Sequence, residues 1–435
     1  MKAAAYEDAY LPGHGDRRYA VRRYDLDLDV AVAGNHLRGL ARLDVELLED
    51  LDQLALDLRG LEVRRVTVDG KAPKKWSQSR TKVLVRSAKP LRRKDRVTVE
   101  IAYSGNPRLV PGPHGPAGWE ELDDGVTVAA QPQGAPSWFP CNDHPGDKAA
   151  YRIRVAANTA YRVLANGTLT GTTRKAGRTV WTYEQPEPMA TYLATLQIGR
   201  YAALPIPTKA PVEVEVVYPQ GRKSATAAAF ARQGEMVEVF AKLFGPYPFP
   251  VYRPVVTDDT LEIPLEAQTL SIFGRNHLTP GWENERLIAH ELAHQWFGNS
   301  LTATRWRDIW LHEGFACYSE WLWSEHSGRN SAAKHARTHW DRLDRLPKDL
   351  ILTEPGVELM FDDRIYKRGA LTLHALRTEL GDKRFGELLR GWTKARRHGS
   401  IDTAAFIKHA EAVADRSLGG FFDKWLTRPA LPKLP

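Results

Sequence analysis

Apolar and polar residues alternate along much of the chain between residues 20 and 200. Over residues 24–32 every second side chain is apolar, and three of the residues between them are aspartates. A period of two places successive side chains on opposite faces of a β-strand, so this segment is predicted to be a strand with one buried and one wet face. Similar short runs recur at 54–58, 83–85 and 97–101, with turn pairs at Asp69-Gly70 and Asn166-Gly167. The pattern predicts a sandwich of packed sheets.

The pattern changes at about residue 203. The proline-containing segment 204–207 predicts a link between domains, and it is followed by a strand over 212–218 and a helix over 224–244. Helical periodicity then dominates, in a zinc-site helix described below and in the segments 368–380, 384–389, 403–414 and 418–426. Strands first and helices later are typical of an all-β domain followed by an α+β domain. We therefore predict a multi-domain chain, with an all-β N-terminal sandwich domain over residues 1–203 and an α+β domain over 204–435.

Length and composition agree with two folded domains and exclude some function classes. The chain has 435 residues, more than the roughly 250–300 at which a single core stops growing. No apolar run approaches the about 18–20 residues of a membrane helix, and no signal peptide pattern is present. Two cysteines, Cys141 and Cys317, are too few for a disulfide scaffold and fit a reducing compartment. We expect no membrane association and a cytoplasmic location.

The net charge of +8 does not indicate a nucleic-acid partner. Lysine and arginine are spread along the chain, with only small clusters at 74–75, 92–94 and 396–397. A nucleic-acid-binding protein would concentrate them on one face of a recognisable module, and no such module is evident. We expect a solvated basic surface and no nucleic acid partner.

The candidate chemistry is concentrated between residues 290 and 313. An H-E-x-x-H motif places His290 and His294 one helical turn apart on one face, which is the spacing that two imidazoles need to bind a single Zn²⁺. Glu313, eighteen residues after the second histidine, offers a third ligand. A catalytic zinc keeps three protein ligands and leaves its fourth position to water. We predict one Zn²⁺ per chain, on a helix that begins after Gly281 and is capped by Gly298.

Three further side chains near the motif have predicted roles. Glu291 lies between the two ligands and is placed to take a proton from the zinc-bound water and pass it to the leaving amine. Glu320 lies seven residues after Glu313 on the same helical face, where it either orients a ligand histidine or is an ordinary surface glutamate. His312 points to a different face from Glu313, so we assign it a supporting role rather than a fourth ligand.

Motifs along the chain carry a family resemblance. His-Glu-Leu-Ala-His-Gln-Trp-Phe-Gly-Asn, followed by Glu-Gly-Phe-Ala, resembles the gluzincin aminopeptidases of the aminopeptidase N family, which includes the leukotriene-hydrolase branch. Further similar motifs lie at 131–133 and 138–143 (a β-domain loop of the family), 264–268 (its substrate strand), 366–370 (its catalytic tyrosine motif) and 422–426 (the end of its catalytic domain). The resemblance covers nearly the whole chain and implies a β domain followed by a thermolysin-like catalytic domain.

The resemblance also implies roles for individual residues. It makes Tyr366 the donor that stabilises the oxyanion, where its position alone would suggest an ordinary core or surface tyrosine. Glu266 would bind the protonated α-amine of a peptide, together with Gln131 and Gln133 from the β-domain loop. This chain has Gln133 where many members have glutamate and Ile263 where the substrate strand has glycine. These departures affect the expected specificity more than the expected reaction.

We therefore expect a zinc aminopeptidase that acts on peptides with a free N-terminus. Two alternatives remain: a less amine-selective zinc hydrolase, acting as an endopeptidase or on an epoxide, and a binding protein with a catalytically silent site. Larger family members add a helical domain that caps the active site, and this chain stops at Pro435, where the catalytic domain would end. We expect a short two-domain member with a less enclosed site, of unknown oligomeric state.

Overall fold

The computed structural model describes residues 3–435, which fall into two compact units. The N-terminal unit contains the chain up to Leu204 together with Val217–Lys223 and Arg253–Arg275. The C-terminal unit contains Pro205–Val216, Ser224–Tyr252 and Asn276–Pro435. The domain boundary after residue 203 stays a prediction. The N-terminal unit also takes in Val217–Lys223 and Arg253–Arg275, which lie beyond that boundary in the chain.

The N-terminal unit is built mainly of strands, which confirms the predicted all-β character of this part of the chain. In chain order the first strands are β1 (Tyr19–Ala31), β2 (His36–Leu47), β3 (Leu54–Asp57), β4 (Glu62–Val68), β5 (Lys75–Gln78), β6 (Lys82–Arg86), β7 (Arg96–Gly105), β8 (Gly118–Leu122), β9 (Gly125–Ala129), β10 (Lys148–Asn158), β11 (Arg162–Ala165), β12 (Thr168–Lys175), β13 (Arg178–Ala190) and β14 (Leu196–Gly199). They form a seven-stranded sheet of order β12-β13-β10-β1-β2-β7-β4, a four-stranded sheet β11-β14-β9-β8 and a three-stranded sheet β3-β6-β5.

Strand β1 shows how the alternating pattern becomes burial. Its apolar residues from Tyr24 to Val30 are buried, whereas Asp27 and Asp29 are exposed. The strand pairs antiparallel with β2 and parallel with β10, so it lies inside the large sheet. On the wet face, Arg154 of β10 forms an ion pair with Asp27 at 2.7 Å. The period-two pattern thus gives one face to the core and one to solvent, as predicted.

A further sheet carries the segment predicted to bind substrate. Its strands are β15 (Tyr201–Pro205), β16 (Glu213–Pro219), β17 (Val251–Tyr252), β18 (Val255–Val256), β19 (Leu265–Ala267) and β20 (Leu270–Phe273). Within the N-terminal unit, Val217 pairs with Val255, and Glu266 of β19 lies opposite Ser271 of β20. A buried apolar cluster that includes Leu164 and Ile272 supports these strands.

Helices dominate the chain after residue 222, as predicted for the second domain. They are α1 (Lys223–Ala229), α2 (Gln233–Phe244), α3 (Trp282–Ala293), α4 (Trp310–His326), α5 (Ala332–Leu343), α6 (Asp363–Leu380), α7 (Asp382–Ala395), α8 (Thr403–Ala414) and α9 (Gly419–Phe422), and two short strands, β21 (Thr302–Ala303) and β22 (Ser400–Ile401), pair in parallel. Among residues 3–435, no helix is long and apolar enough to cross a membrane.

Several helix boundaries differ from the sequence prediction. The helix predicted over 224–244 is two helices, α1 and α2, which residues 230–232 separate. In the first turn of α2, a Cβ at Gly234 would lie 2.0 Å from the oxygen of Pro207, so glycine allows this close approach. Helix α6 begins five residues before the predicted start, since the side chain of Asp362 accepts a hydrogen bond from the backbone N–H of Arg364 and caps it there. Helix α5 was not predicted.

Helices α4 and α6 cross at two glycines. A Cβ at Gly369 would lie 2.7 Å from Cα of Gly314, and a Cβ at Gly314 would lie 2.8 Å from Cα of Gly369. Because neither residue has a side chain, the two backbones approach closely. This crossing sets the distance between the helix that carries Glu313 and the helix that carries Tyr366.

We expect the substitution Gly369→Ala to destabilise the protein by about 1–3 kcal/mol, because the new methyl group meets backbone and the helices must move apart. Gly420→Ala is the matched control, since a Cβ there meets nothing within 4 Å. Thermal unfolding of the full chain measures both variants. Equal unfolding midpoints for the two would show that the crossing tolerates a side chain.

Candidate active site

Three buried side chains of the C-terminal unit converge at the end of α3 and the start of α4. The Nε2 atoms of His290 and His294 lie 3.4 and 3.3 Å from Oε2 of Glu313. All three ligand atoms lie within 4.8 Å of one another. Two ligand atoms bound to one zinc at about 2.0–2.1 Å and tetrahedral angles are separated by about 3.3 Å. The donor types and their separations therefore fit one Zn²⁺.

Both histidines are held through the nitrogen that faces away from Glu313. Nδ1 of His290 hydrogen-bonds Oε1 of Glu320 at 2.7 Å, and Nδ1 of His294 hydrogen-bonds the carbonyl oxygen of Phe297 at 2.9 Å. A histidine that donates through Nδ1 keeps the Nε2 lone pair for a metal. The contacts thus select the tautomer that zinc binding requires.

Glu320 is buried, with 3% of its surface exposed, so it is not the surface glutamate of the alternative interpretation. Burial opposes its ionisation, but the positive charge of Lys367, the hydrogen bond from His290 and the charge of Arg286 lower its pKa to about 2. Nη1 of Arg286 donates to Oε2 of Glu320 at 3.3 Å. Glu320 is therefore a carboxylate whose two oxygens face different partners.

The turn after α3 shapes the position of His294. The helix ends at Ala293, earlier than the predicted cap at Gly298. Gly298 has φ of +126°, and a Cβ there would lie 3.2 Å from Nδ1 of His294, so this glycine leaves room for the imidazole. His312 accepts a hydrogen bond from the backbone N–H of Ala303 through Nε2 at 2.7 Å, which ties β21 to α4.

Glu291 and Tyr366 lie with the zinc ligands in the C-terminal unit. Glu291 is buried on α3 between the two histidines. Tyr366 is half-buried on α6, and its ring stacks on that of His290 with centroids 6.1 Å apart and planes at 21°. The structure thus brings the predicted base and the predicted phenol donor to the zinc ligands, and their roles stay predictions.

Gln131 and Glu266 lie together in the N-terminal unit. Nε2 of Gln131 donates a hydrogen bond of 2.6 Å to Oε1 of Glu266, which is 4% exposed on β19. Ile263, just before β19, is 68% exposed. A buried carboxylate oriented by a neighbouring amide is suited to bind a cationic group.

Gln133 makes different contacts from Gln131. Its Nε2 donates to the carbonyl oxygens of Val110 and Gly115, both at 3.1 Å, and the absence of a side chain at Gly112 makes space for this amide. Gln133 therefore holds the loop over residues 110–115. The contact of Gln133 with a substrate amine stays a prediction. In such a contact, Oε1 of Gln133 would be the atom that accepts a hydrogen bond from the amine.

The charges of Lys367 and Arg286 lower the pKa of Glu320, and neither residue has a predicted role there. Arg286 lies four residues before His290 on α3, so helical spacing is a signal that points to it. Lys367 comes from α6, and its position beside α4 depends on helix packing. No pattern along the chain indicates the contact of Lys367 with Cys317 on α4.

Comparison with solved structures places this fold and site in a family. The crystal structure of an M1 zinc metallopeptidase from Deinococcus radiodurans matches with a TM-score of 0.90 and 32% sequence identity, covering 98% of this chain and 98% of that one. The chain belongs to peptidase family M1. Residues 21–193 match the Peptidase M1 N-terminal domain and residues 228–425 match the Peptidase family M1 domain. The predicted family, fold class and zinc cofactor are thereby confirmed.

Other M1 relatives carry more specific names. A mutant of the Deinococcus radiodurans enzyme is described as bound to a Tyr-Ser-Ala substrate, with a TM-score of 0.91, 32% identity and coverage of 98% of this chain and 99% of that one. Leucyl aminopeptidase of Saccharolobus solfataricus is 24% identical over 444 residues, which cover 95% of this chain and 54% of that protein. The chain spans about half the length of the curated relatives that it matches.

Proposed function

We propose that the protein is a zinc-dependent aminopeptidase that hydrolyses the first peptide bond of substrates with a free N-terminus. One observation carries the proposal: in a chain of family M1, a buried set of three zinc ligands has Glu291 between its two histidines. Relatives named as aminopeptidases support the substrate class.

Different side chains carry out the steps of the proposed reaction. Zinc held by His290, His294 and Glu313 would acidify a water molecule and polarise the scissile carbonyl. Glu291 takes the proton of the attacking water and later transfers it to the leaving amine. The hydroxyl of Tyr366 donates a hydrogen bond to the oxygen on which negative charge develops.

Recognition of the substrate amine is assigned to the N-terminal unit. The carboxylate of Glu266 supplies the charge opposite to a protonated α-amine, and Gln131 orients that carboxylate through its 2.6 Å hydrogen bond. Gln133 contributes no charge. We therefore expect amine selectivity to depend mainly on Glu266.

A pair of substrates tests the proposal. We expect aminoacyl-arylamides to be hydrolysed with kcat/KM at least about 100-fold higher than their N-acetylated forms, because acetylation removes the charge that Glu266 pairs with. Glu266→Gln should narrow this ratio, whereas Glu262→Gln, an exposed residue in the same segment, should not. Equal cleavage of free and blocked substrates would reject the aminopeptidase in favour of the less selective hydrolase.

We expect Tyr366→Phe to lower kcat by about 10²–10³-fold, because the phenol donor acts on charge that develops in the transition state. KM and zinc content should change little, since the ring remains. Steady-state kinetics and metal analysis measure these quantities. Tyr318→Phe, a buried tyrosine on α4, is the control, and an equal loss of kcat in both variants would argue against a specific role for Tyr366.

We also propose a cytoplasmic location. Cys141 and Cys317 are both buried and form no disulfide, which fits a reducing compartment. Fractionation of cells that produce the protein tests this proposal.

A further inference from the structure

We infer that Gln133 is a positioning residue of the amine-recognition site, because its amide clamps the turn that carries Gln131 to the loop over residues 110–115. The effect of this clamp on the recognition of a substrate amine rests on the proposed function. The clamp itself does not.

The loop and the turn lie at the same end of one hairpin in the N-terminal unit. Gly118, the first residue of β8, pairs with Ala129, the last residue of β9. The loop over residues 110–115 leads into β8, and the turn over residues 131–134 follows β9. Because the two strands are paired at this point, the loop and the turn run side by side.

The loop forms a cradle for the amide of Gln133. Backbone hydrogen bonds between Val110 and Ala117, at 2.7 and 3.0 Å, join its two ends. Inside it, Nε2 of Gln133 donates to the carbonyl oxygens of Val110 and Gly115, both at 3.1 Å. A Cβ at Gly112 would lie 2.0 Å from Nε2 and 2.3 Å from Cδ of Gln133. The loop therefore accepts the amide only because residue 112 has no side chain.

The cradle requires a hydrogen-bond donor at residue 133. Gln133 is 1% exposed, and both groups that its Nε2 contacts are carbonyl oxygens, which accept hydrogen bonds and cannot donate them. A glutamate there would place a buried carboxylate against the same two oxygens. Since a buried charge without a partner is costly, the loop would have to open.

The clamp reaches the amine-recognition site through Gln131. Gln131 and Gln133 lie two residues apart in one turn, which a backbone hydrogen bond of 2.7 Å from Gly134 to Ala130 closes. Nε2 of Gln131 donates to Oε1 of Glu266 at 2.6 Å. Releasing the amide of Gln133 frees the turn on the side of the loop, so that Gln131 loses its fixed position beside Glu266.

The substitution Gly112→Ala releases the clamp without changing any charge, because the new methyl group takes the space of the amide. We expect the backbone N–H groups of Val110 and Ala117 to exchange with deuterium about tenfold faster, since the loop loses two hydrogen bonds. In the proposed reaction, KM for an aminoacyl-arylamide should rise about tenfold with kcat nearly unchanged, because misplacing a group that positions substrate has effects of this size or larger.

Gly171→Ala is the matched control for Gly112→Ala. A Cβ at Gly171 meets only a side-chain carbon 3.9 Å away, and neither glycine has a positive φ. Deuterium exchange in the loop and KM should both equal those of wild type in this variant.

The substitution Gln133→Glu separates the clamp from a direct contact with the amine. If Gln133 acted only by contacting the amine, a carboxylate would add an opposite charge and lower KM. We expect KM to rise instead and the loop to exchange faster, as in Gly112→Ala. Gln53→Glu adds the same charge at an exposed position of the same unit and should change neither quantity.

A double-mutant cycle decides whether Gly112→Ala acts through the amide. Gln133→Ala empties the cradle, so Gly112→Ala should have no further effect on exchange or KM in that background. An equal effect in both backgrounds, no effect in either, or a lower KM in Gln133→Glu overturns the inference.

Thermal unfolding identifies any variant that misfolds. If Gly112→Ala does so, Gln133→Met replaces it, because methionine keeps the length of the side chain and removes both donors. If the exchange effects hold but wild type shows no preference for a free amine, the proposed function fails and the clamp stands.

Discussion

Replacing Glu291 by glutamine is expected to lower kcat by about 10²–10⁴-fold while leaving one zinc per chain, because the amide keeps the shape of the side chain and cannot accept the proton. Glu291 lies between the two histidine ligands on α3, so the substitution leaves the three ligands in place. Hydrolysis of an aminoacyl-arylamide and metal analysis of the same preparation measure the two quantities.

The matched control for this prediction is Glu387→Gln, an exposed glutamate on α7. Its kcat should equal that of wild type. If Glu291→Gln retained full activity, another group would have to act as base. If zinc were bound, wild type cleaved nothing and the substitution changed nothing, the binding-protein interpretation would gain support.

Removing a zinc ligand is expected to eliminate both the metal and the activity. In Glu313→Ala, the Nε2 atoms of His290 and His294 lose the carboxylate that lies within 3.4 Å of each. Two neutral imidazoles alone do not complete the three-ligand set of a catalytic zinc site. We expect zinc content well below one per chain and hydrolysis at background level.

The same variant should lose the stabilisation that zinc gives to the folded state. A ligand at a thousand times its dissociation constant stabilises by about 4 kcal/mol, so added zinc should raise the unfolding midpoint of wild type and not that of Glu313→Ala. Wild type treated with a chelator should recover activity when zinc returns. A Glu313→Ala variant that still bound one zinc with unchanged affinity would place the metal elsewhere.

The secondary structure of a segment could be predicted from the sequence where its apolar residues repeat regularly over many positions. Strand β1 was predicted because its apolar residues repeat every second position over a long segment. Helix α5 was not predicted, because only Ala332, Ala336 and Leu343 along it are buried and two of these are alanines. Ser331 caps it through a hydrogen bond from the backbone N–H of Lys334, and that cap was its main local signal.

Side chains of similar type in one loop could not be distinguished before the fold was known. Gln131 and Gln133 both resemble amine-binding positions, but only Gln131 contacts Glu266, whereas Gln133 binds the carbonyls of the 110–115 loop. In extended backbone, side chains two residues apart face the same side, so the spacing alone gives both glutamines one direction. Residues 131–134 form a turn instead of a strand, and the two amides therefore meet different partners.

The pattern of residues alone was enough to predict the zinc ligands and the base, because the spacing of His290, Glu291 and His294 is a property of a single helix. How those ligands are held could be known only from the packed helices. The contact of His290 with Glu320 joins α3 to α4, and that of Lys367 with Cys317 joins α6 to α4. Such contacts are set by how closely helices approach, as at the glycine crossing of α4 and α6, and no periodicity along the chain records that distance.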